Sequence, residues 1–214
     1  MNKPNGSSDV DWSEAVSVLR GRFESLIEEA AGALREIVQW GCAAVGSAES
    51  SLMVPDEDGV HLKFLVSVNR ALESEDLLVP IDRSIAGYVF TAGDLIAVGD
   101  VGEEMSDRHF EGVDERTGTR TRAYLAVPVM QEDVPSAVLT FVNRPKEAPN
   151  LRFSPEEIEI AQRLGSLCAV GLTFYRNLLR QSRSALTELA RSERETDQEE
   201  GGAGISESPL SRVW

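Results

Sequence analysis

The sequence predicts an α+β fold in which one antiparallel sheet carries helices on its faces and lies between two long helices. Three observations predict it. Apolar residues recur at steps of four and three near both ends of the chain. Between these segments lie five or six short strand-like runs. Turn residues separate consecutive runs closely enough for antiparallel pairing, and the helical segments are set apart from them.

Residues 1–10 are polar, carry Gly, Pro and Ser, and lack periodicity, so they read as a disordered leader. With one lysine and no apolar run, the leader does not read as a signal peptide. A long helix is predicted over 11–41, where Trp12, Val16, Leu19, Phe23, Leu26, Ala30, Leu34 and Ile37 form a heptad-like stripe. A helix of about 30 residues is roughly 45 Å long, more than a small domain needs for its own core. Part of it is expected to project and find a partner.

Strands are predicted at 50–54 and 60–68 around the hairpin signal Asp58-Gly59, with a third apolar run at 77–81. Residues 84–93 read as a short helix capped by Ser84 and ending near Gly93. A strand at 95–98 precedes the polar stretch 100–122, too long for an ordinary loop, which implies function or a hidden short helix. Strands at 123–130 and 136–143 then form a hairpin, and Pro128 inside the first of them signals an edge or a bulge.

Ser154-Pro155-Glu156-Glu157 is a capping box that opens a helix over 154–191. Its stripe runs through Leu164, Cys168, Gly171, Tyr175, Leu178, Ser182, Leu186 and Leu189. Residues 192–214 turn acidic and then Gly- and Ser-rich, which predicts a disordered tail ending in Val213-Trp214.

Composition narrows the function classes. The formal charge of −15, from 36 acids and 21 bases, opposes binding to nucleic-acid polymers and anionic membranes. No apolar run reaches the roughly 20 residues of a membrane helix. Cys42 and Cys168 form neither a disulfide framework nor a metal quartet, which fits a reduced, cytoplasmic setting. No metal and no cofactor is expected. P-loop, nucleophile-elbow, zinc-protease and kinase signatures do not occur.

Two segments are more specific. Ser84-Ile85-Ala86-Gly87 and residues 108–129 resemble GAF domains, most closely the ligand-binding GAF domains of cyclic-nucleotide phosphodiesterases. Phe110, Asp114, Thr117, Gly118 and Thr121 fall at the family's spacings, followed by Leu125-Ala126-Val127-Pro128. The likeness runs from about 26 to 179. The family's closing lysine–aspartate signature falls here on Asn143, Arg144, Phe153, Glu157 and Ile158, with arginine and glutamate as substitutes. An Arg144–Glu157 ion pair would keep the charge complementarity; capping would by itself also account for Glu157.

The resemblance implies a cavity between one sheet face and residues 80–122. The first amides of the 84–93 helix, Ile85 and Ala86, could meet an anion. Thr117 and Thr121 offer hydroxyls, and Asp114 a carboxylate that accepts from a base or holds the loop. Phe110 belongs to the same motif, and Ser51 stands where the family often hydrogen-bonds a base. Glu111, Val66 and Thr140 depart from the family at positions that can meet phosphate or purine, which leaves three alternatives: a purine or cyclic nucleotide, another small ligand, or an architectural domain. Neither cysteine falls in the pocket region, as bilin attachment or sulfoxide reduction would need, and His61 and His109 read as lone surface histidines rather than haem ligands. The expectation is a non-enzymatic sensory module that binds a small ligand, dimerises through its long helices and signals to a separate effector protein. The alternative is a ligand-free scaffold that acts through protein–protein contacts.

Overall fold

The computed structural model describes residues 12–146, 148 and 150–202. Its elements are α1 (Trp12–Val45), β1 (Glu49–Pro55), β2 (His61–Ser67), β3 (Leu78–Pro80), α2 (Ile85–Ala92), β4 (Ile96–Val98), α3 (Val101–Glu104), α4 (Gly112–Thr117), β5 (Tyr124–Gln131), β6 (Val134–Val142) and α5 (Pro155–Gly202). The six strands form one antiparallel sheet in the order β3-β2-β1-β6-β5-β4. The expected fold class is therefore observed, and the polar stretch 100–122 holds short helices.

Turn chemistry sets the strand pairing. Between β1 and β2, Asp58 accepts from the amides of Val60 and His61, and Gly59 takes φ 71°. Between β5 and β6, Glu132 and Asp133 both adopt left-handed backbone, the two-residue turn that matches strand twist. Pro128 sits in an interior strand. However, β4 stops opposite Ala126, so β5 is locally an edge there, and a register shift follows at Val129/Met130.

The alternation along β1, β5 and β6 divides two cores. Leu52, Leu125, Val127, Leu139 and Phe141 pack with Leu34 and Val38 of α1 and with Ala161, Leu164, Cys168 and Leu172 of α5. The opposite face sets Met53, Ala126 and Val138 against Ala86 and Val89 of α2. This body spans Glu28–Tyr175 as one compact unit; the outer parts of α1, to Ile27, and of α5, from Arg176, cluster as a second.

Three expectations need correction. The α5 stripe at Leu164, Cys168 and Gly171 turns inward: Leu164 and Cys168 are buried, and a Cβ on Gly171 would lie 2.7 Å from Leu34 Cδ2. That stripe serves the domain's own core, and the exposed apolar face lies elsewhere, at Leu167, Val170 and Phe174. Next, α5 continues to Gly202, so residues 192–202 of the expected tail are helical; glutamate, glutamine and arginine are good helix formers, and the helix ends at a glycine pair. Finally, His109 is not a lone surface histidine, as the site below shows. The leader 1–10 and the Val213-Trp214 end lie outside the described residues.

A candidate ligand cavity

The sheet face under α2 carries polar rows in its otherwise apolar surface. Because β1, β6 and β5 pair in register, Glu49, Val142 and Tyr124 form one cross-strand row, and Ser51, Thr140 and Ala126 the next. The far wall is built by α2 and by the segment carrying α3 and α4. Between them and the sheet lies a partly open cavity of about 50 Å³ lined by Glu49, Ser51, Phe64, Ile85, Ala86, Phe110, Thr117, Thr121, Tyr124 and Thr140, among others. As it stands this is room for a few waters.

The start of α2 is fixed by local chemistry. Ser84 accepts from the Gly87 amide at 2.9 Å and donates to the Pro80 carbonyl at 2.6 Å, which ties the helix start to the end of β3. A Cβ at Gly87 would lie 2.1 Å from the Ile81 carbonyl oxygen, so only glycine lets the helix dock here. Gly93, at φ 73°, ends the helix. The first-turn residues Ile85 and Ala86 thereby line the cavity.

The opposite wall is held by Asp114. Its carboxylate accepts from the Thr121 hydroxyl at 2.6 Å and the Thr121 amide at 3.0 Å, and it meets His109 Nε2 at 2.9 Å. Burial opposes its ionisation, but these hydrogen bonds outweigh that effect and hold its pKa below the usual aspartate range. Asp114 thus holds the loop. Thr121 is committed to it, and Thr117 donates to the Val113 carbonyl at 3.0 Å. His109 and Thr121 line the inner cavity and also, with Asp114, an outer cleft of about 360 Å³. The Asp114 knot therefore stands between the two spaces.

Ser51 shares a 2.8 Å hydrogen bond with Ser67, and Thr140 donates to the Ser51 carbonyl at 3.3 Å. Val66, the second-strand position compared with base-reading residues, is buried in the core beneath α1 and α5, away from the cavity. The two cysteines lie in α1 and α5; Cys168 is buried, and burial pushes its thiol up to about 12.

Arg144 and Glu157 meet outside the cavity. Arg144 donates to Glu157 at 2.8 Å and to the Val45 carbonyl at 2.9 Å, and its guanidinium stacks over Phe153. Glu157 simultaneously accepts from the Ser154 amide at 2.7 Å, while its own amide donates to Ser154 Oγ at 3.3 Å. One carboxylate therefore serves both as cap and as ion-pair partner. The cluster joins the ends of α1 and β6 to the start of α5.

Sequence reasoning passed over Glu49, Tyr124 and His109 as cavity residues. Parity was the available signal for the first two: Glu49 is two residues before Ser51 on one strand, and Tyr124 precedes Ala126 likewise. For His109 the five-residue spacing to Asp114 carries no fixed meaning in a loop.

The model of the GAF domain matches residues 29–172. The GAF domain of a phosphoenolpyruvate-protein phosphotransferase from Coxiella burnetii superposes with TM-score 0.58 at 14% identity, covering 76% of this chain and 95% of that one. A type II free methionine-R-sulfoxide reductase from Thermoplasma acidophilum gives 0.56 at 14% identity, covering 70% and 96%. The second GAF domain of DevS from Mycobacterium smegmatis gives 0.52 at 16% identity, covering 72% and 99%. With its six-stranded sheet, the helices on both faces and the match over 29–172, the chain belongs to the GAF domain family.

Proposed function

We propose that this chain is a non-catalytic sensory module that binds a small ligand in the cavity between α2, α4 and the sheet. The observation that carries this reading is the cavity itself. It is walled on one side by a polar row and on the other by a segment held by the Asp114 hydrogen bonds and by packing of Phe110 and Val113. Filling it would shift the balance between open and closed positions of the 100–122 segment, provided the ligand prefers one of them. Non-catalytic action is supported by Cys168, on the buried face of α5 with a raised thiol pKa that makes it a poor nucleophile. The solved relatives include reductases as well as regulatory domains, so this part of the reading rests on the chain's own residues.

The volume restricts the ligand. Sites for drug-sized molecules are typically about 300–1,000 Å³. A purine or cyclic nucleotide would need the Asp114 knot to open and join the inner cavity to the outer cleft; a smaller molecule would not. A thermal-shift screen of nucleotides and small metabolites tests the reading. A ligand at 100 times its Kd adds about 2.7 kcal/mol of stability. The same small volume supports a second reading, a ligand-free scaffold, which wins if nothing in such a screen raises the melting temperature.

Transmission goes through a homodimer built on α5. Leu167, Val170 and Phe174 stand at steps of three and four on one helix face and are 54, 71 and 57% exposed. Such a stripe fits a second copy, with a separate effector protein receiving the signal. Among the described residues no helix is long and apolar enough to cross a membrane.

A further inference from the structure

We infer that the end of the cavity bounded by the row Glu49–Val142–Tyr124 receives a protonated nitrogen, such as the ammonium or amidinium head of a small ligand. This rests on the ligand-binding reading above and names the chemistry of the guest. Among the described residues, Glu49 is the only carboxylate that lines the cavity. It is half-buried, and among the described residues no hydrogen bond or ion pair reaches it. Its neighbours on the sheet are different: Ser51, Ser67 and Thr140 all have partners. So does Asp114, whose three hydrogen bonds leave little capacity for a guest.

An unpartnered carboxylate out of bulk water is costly, and burial accordingly raises the Glu49 pKa. A cation placed beside it would remove that cost. Among the described residues no lysine or arginine lines the cavity to do so. Tyr124 supplies a second acceptor in the same row, since its hydroxyl is engaged by no described residue. The rings of Phe64, Phe110 and Tyr124 line the same space and suit an organic cation, whose charge is attracted to aromatic faces. An anion at this end would meet Glu49 directly, so the α2 amides expected to favour an anion do not set the sign of the whole site. The net charge of −15 works in the same direction by drawing cations toward the surface.

Four probes of one size separate the possibilities: 1-propylammonium, 1-propanol, propionamide and propionate, each titrated into the full chain at neutral pH and followed by amide NMR. The expected result is that propylammonium shifts the amides of Glu49, Tyr124 and Val142 and binds at least about tenfold more tightly than propanol. Propionate should leave those amides unmoved. Glu49→Gln should abolish the preference for the ammonium while propanol binding stays as it was. The ranking on the wild-type chain stands even if that variant folds poorly. Equal binding of propionamide and propylammonium would overturn the requirement for a charge, and tighter binding of propionate would overturn its sign. Survival of the preference in Glu49→Gln would move it to another residue. If propanol shifts the cavity amides with no advantage for the ammonium, this inference fails and the ligand-binding cavity stands. If none of the four probes shifts them, the cavity reading fails with it.

Discussion

Replacing Glu157 tests how the helices are fastened to the sheet. The Arg144 side chain is 9% exposed and that of Glu157 is 22% exposed, so the pair lies between a buried and a surface ion pair. Removing one partner of a buried pair costs about 3–5 kcal/mol, while an exposed pair contributes about 0–1 kcal/mol. Arg144 keeps the Val45 carbonyl and the Phe153 ring when the carboxylate is lost, which softens the penalty. Weighing these, Glu157→Gln should cost about 2–3 kcal/mol. Glutamine still suits this capping position, so that figure isolates the charge pair. Glu157→Ala loses the cap as well and should cost about 1 kcal/mol more. Urea denaturation of Glu157→Gln, Arg144→Gln and the double variant gives the coupling directly. A coupling below about 0.5 kcal/mol would refute the reasoning and leave Glu157 as a cap alone.

Gly87→Ala should destabilise the domain by at least about 2 kcal/mol, because the new methyl collides with backbone that cannot swing aside; an unchanged unfolding midpoint would mean that α2 is not docked against Ile81. The Asp114 knot should show an acid limit. A carboxyl whose folded pKa is lowered stabilises fully above its unfolded value, near 3.9, and loses that contribution as pH falls through the folded value. The stability advantage of wild type over Asp114→Asn should therefore shrink below about pH 4; a difference undiminished between pH 5 and pH 2.5 would refute the assignment. Phe174→Glu should turn a dimer into a monomer in light scattering without lowering the domain's stability, and a monomeric wild-type chain would remove the α5 interface.

Much of the fold could be read locally. The helix starts at Ser84 and Ser154 follow from the reach of a serine hydroxyl to an amide three residues on, and both caps form in the structure. Strand limits fell within a few residues because turn chemistry at Asp58-Gly59 and Glu132-Asp133 needs only neighbours. The motif 108–129 contains several of the residues that line the cavity. It did not reveal that Asp114 and Thr121 bind each other, since both are equally able to bind a guest.

What the residues determined by themselves is therefore whatever depends on contacts within about four positions: helix, strand, cap and turn. The tertiary structure decided which face each strand turns to the cavity, and so placed Glu49 and Tyr124 in it and Val66 beneath the helices. It also decided which of two apolar stripes on α5 the core would take. The physical reason is that side chains alternate strictly along a strand, so facing depends on register with a distant partner. A single shift, such as the one at Leu52/Met53, exchanges the two faces, and nothing in the local spacing records it.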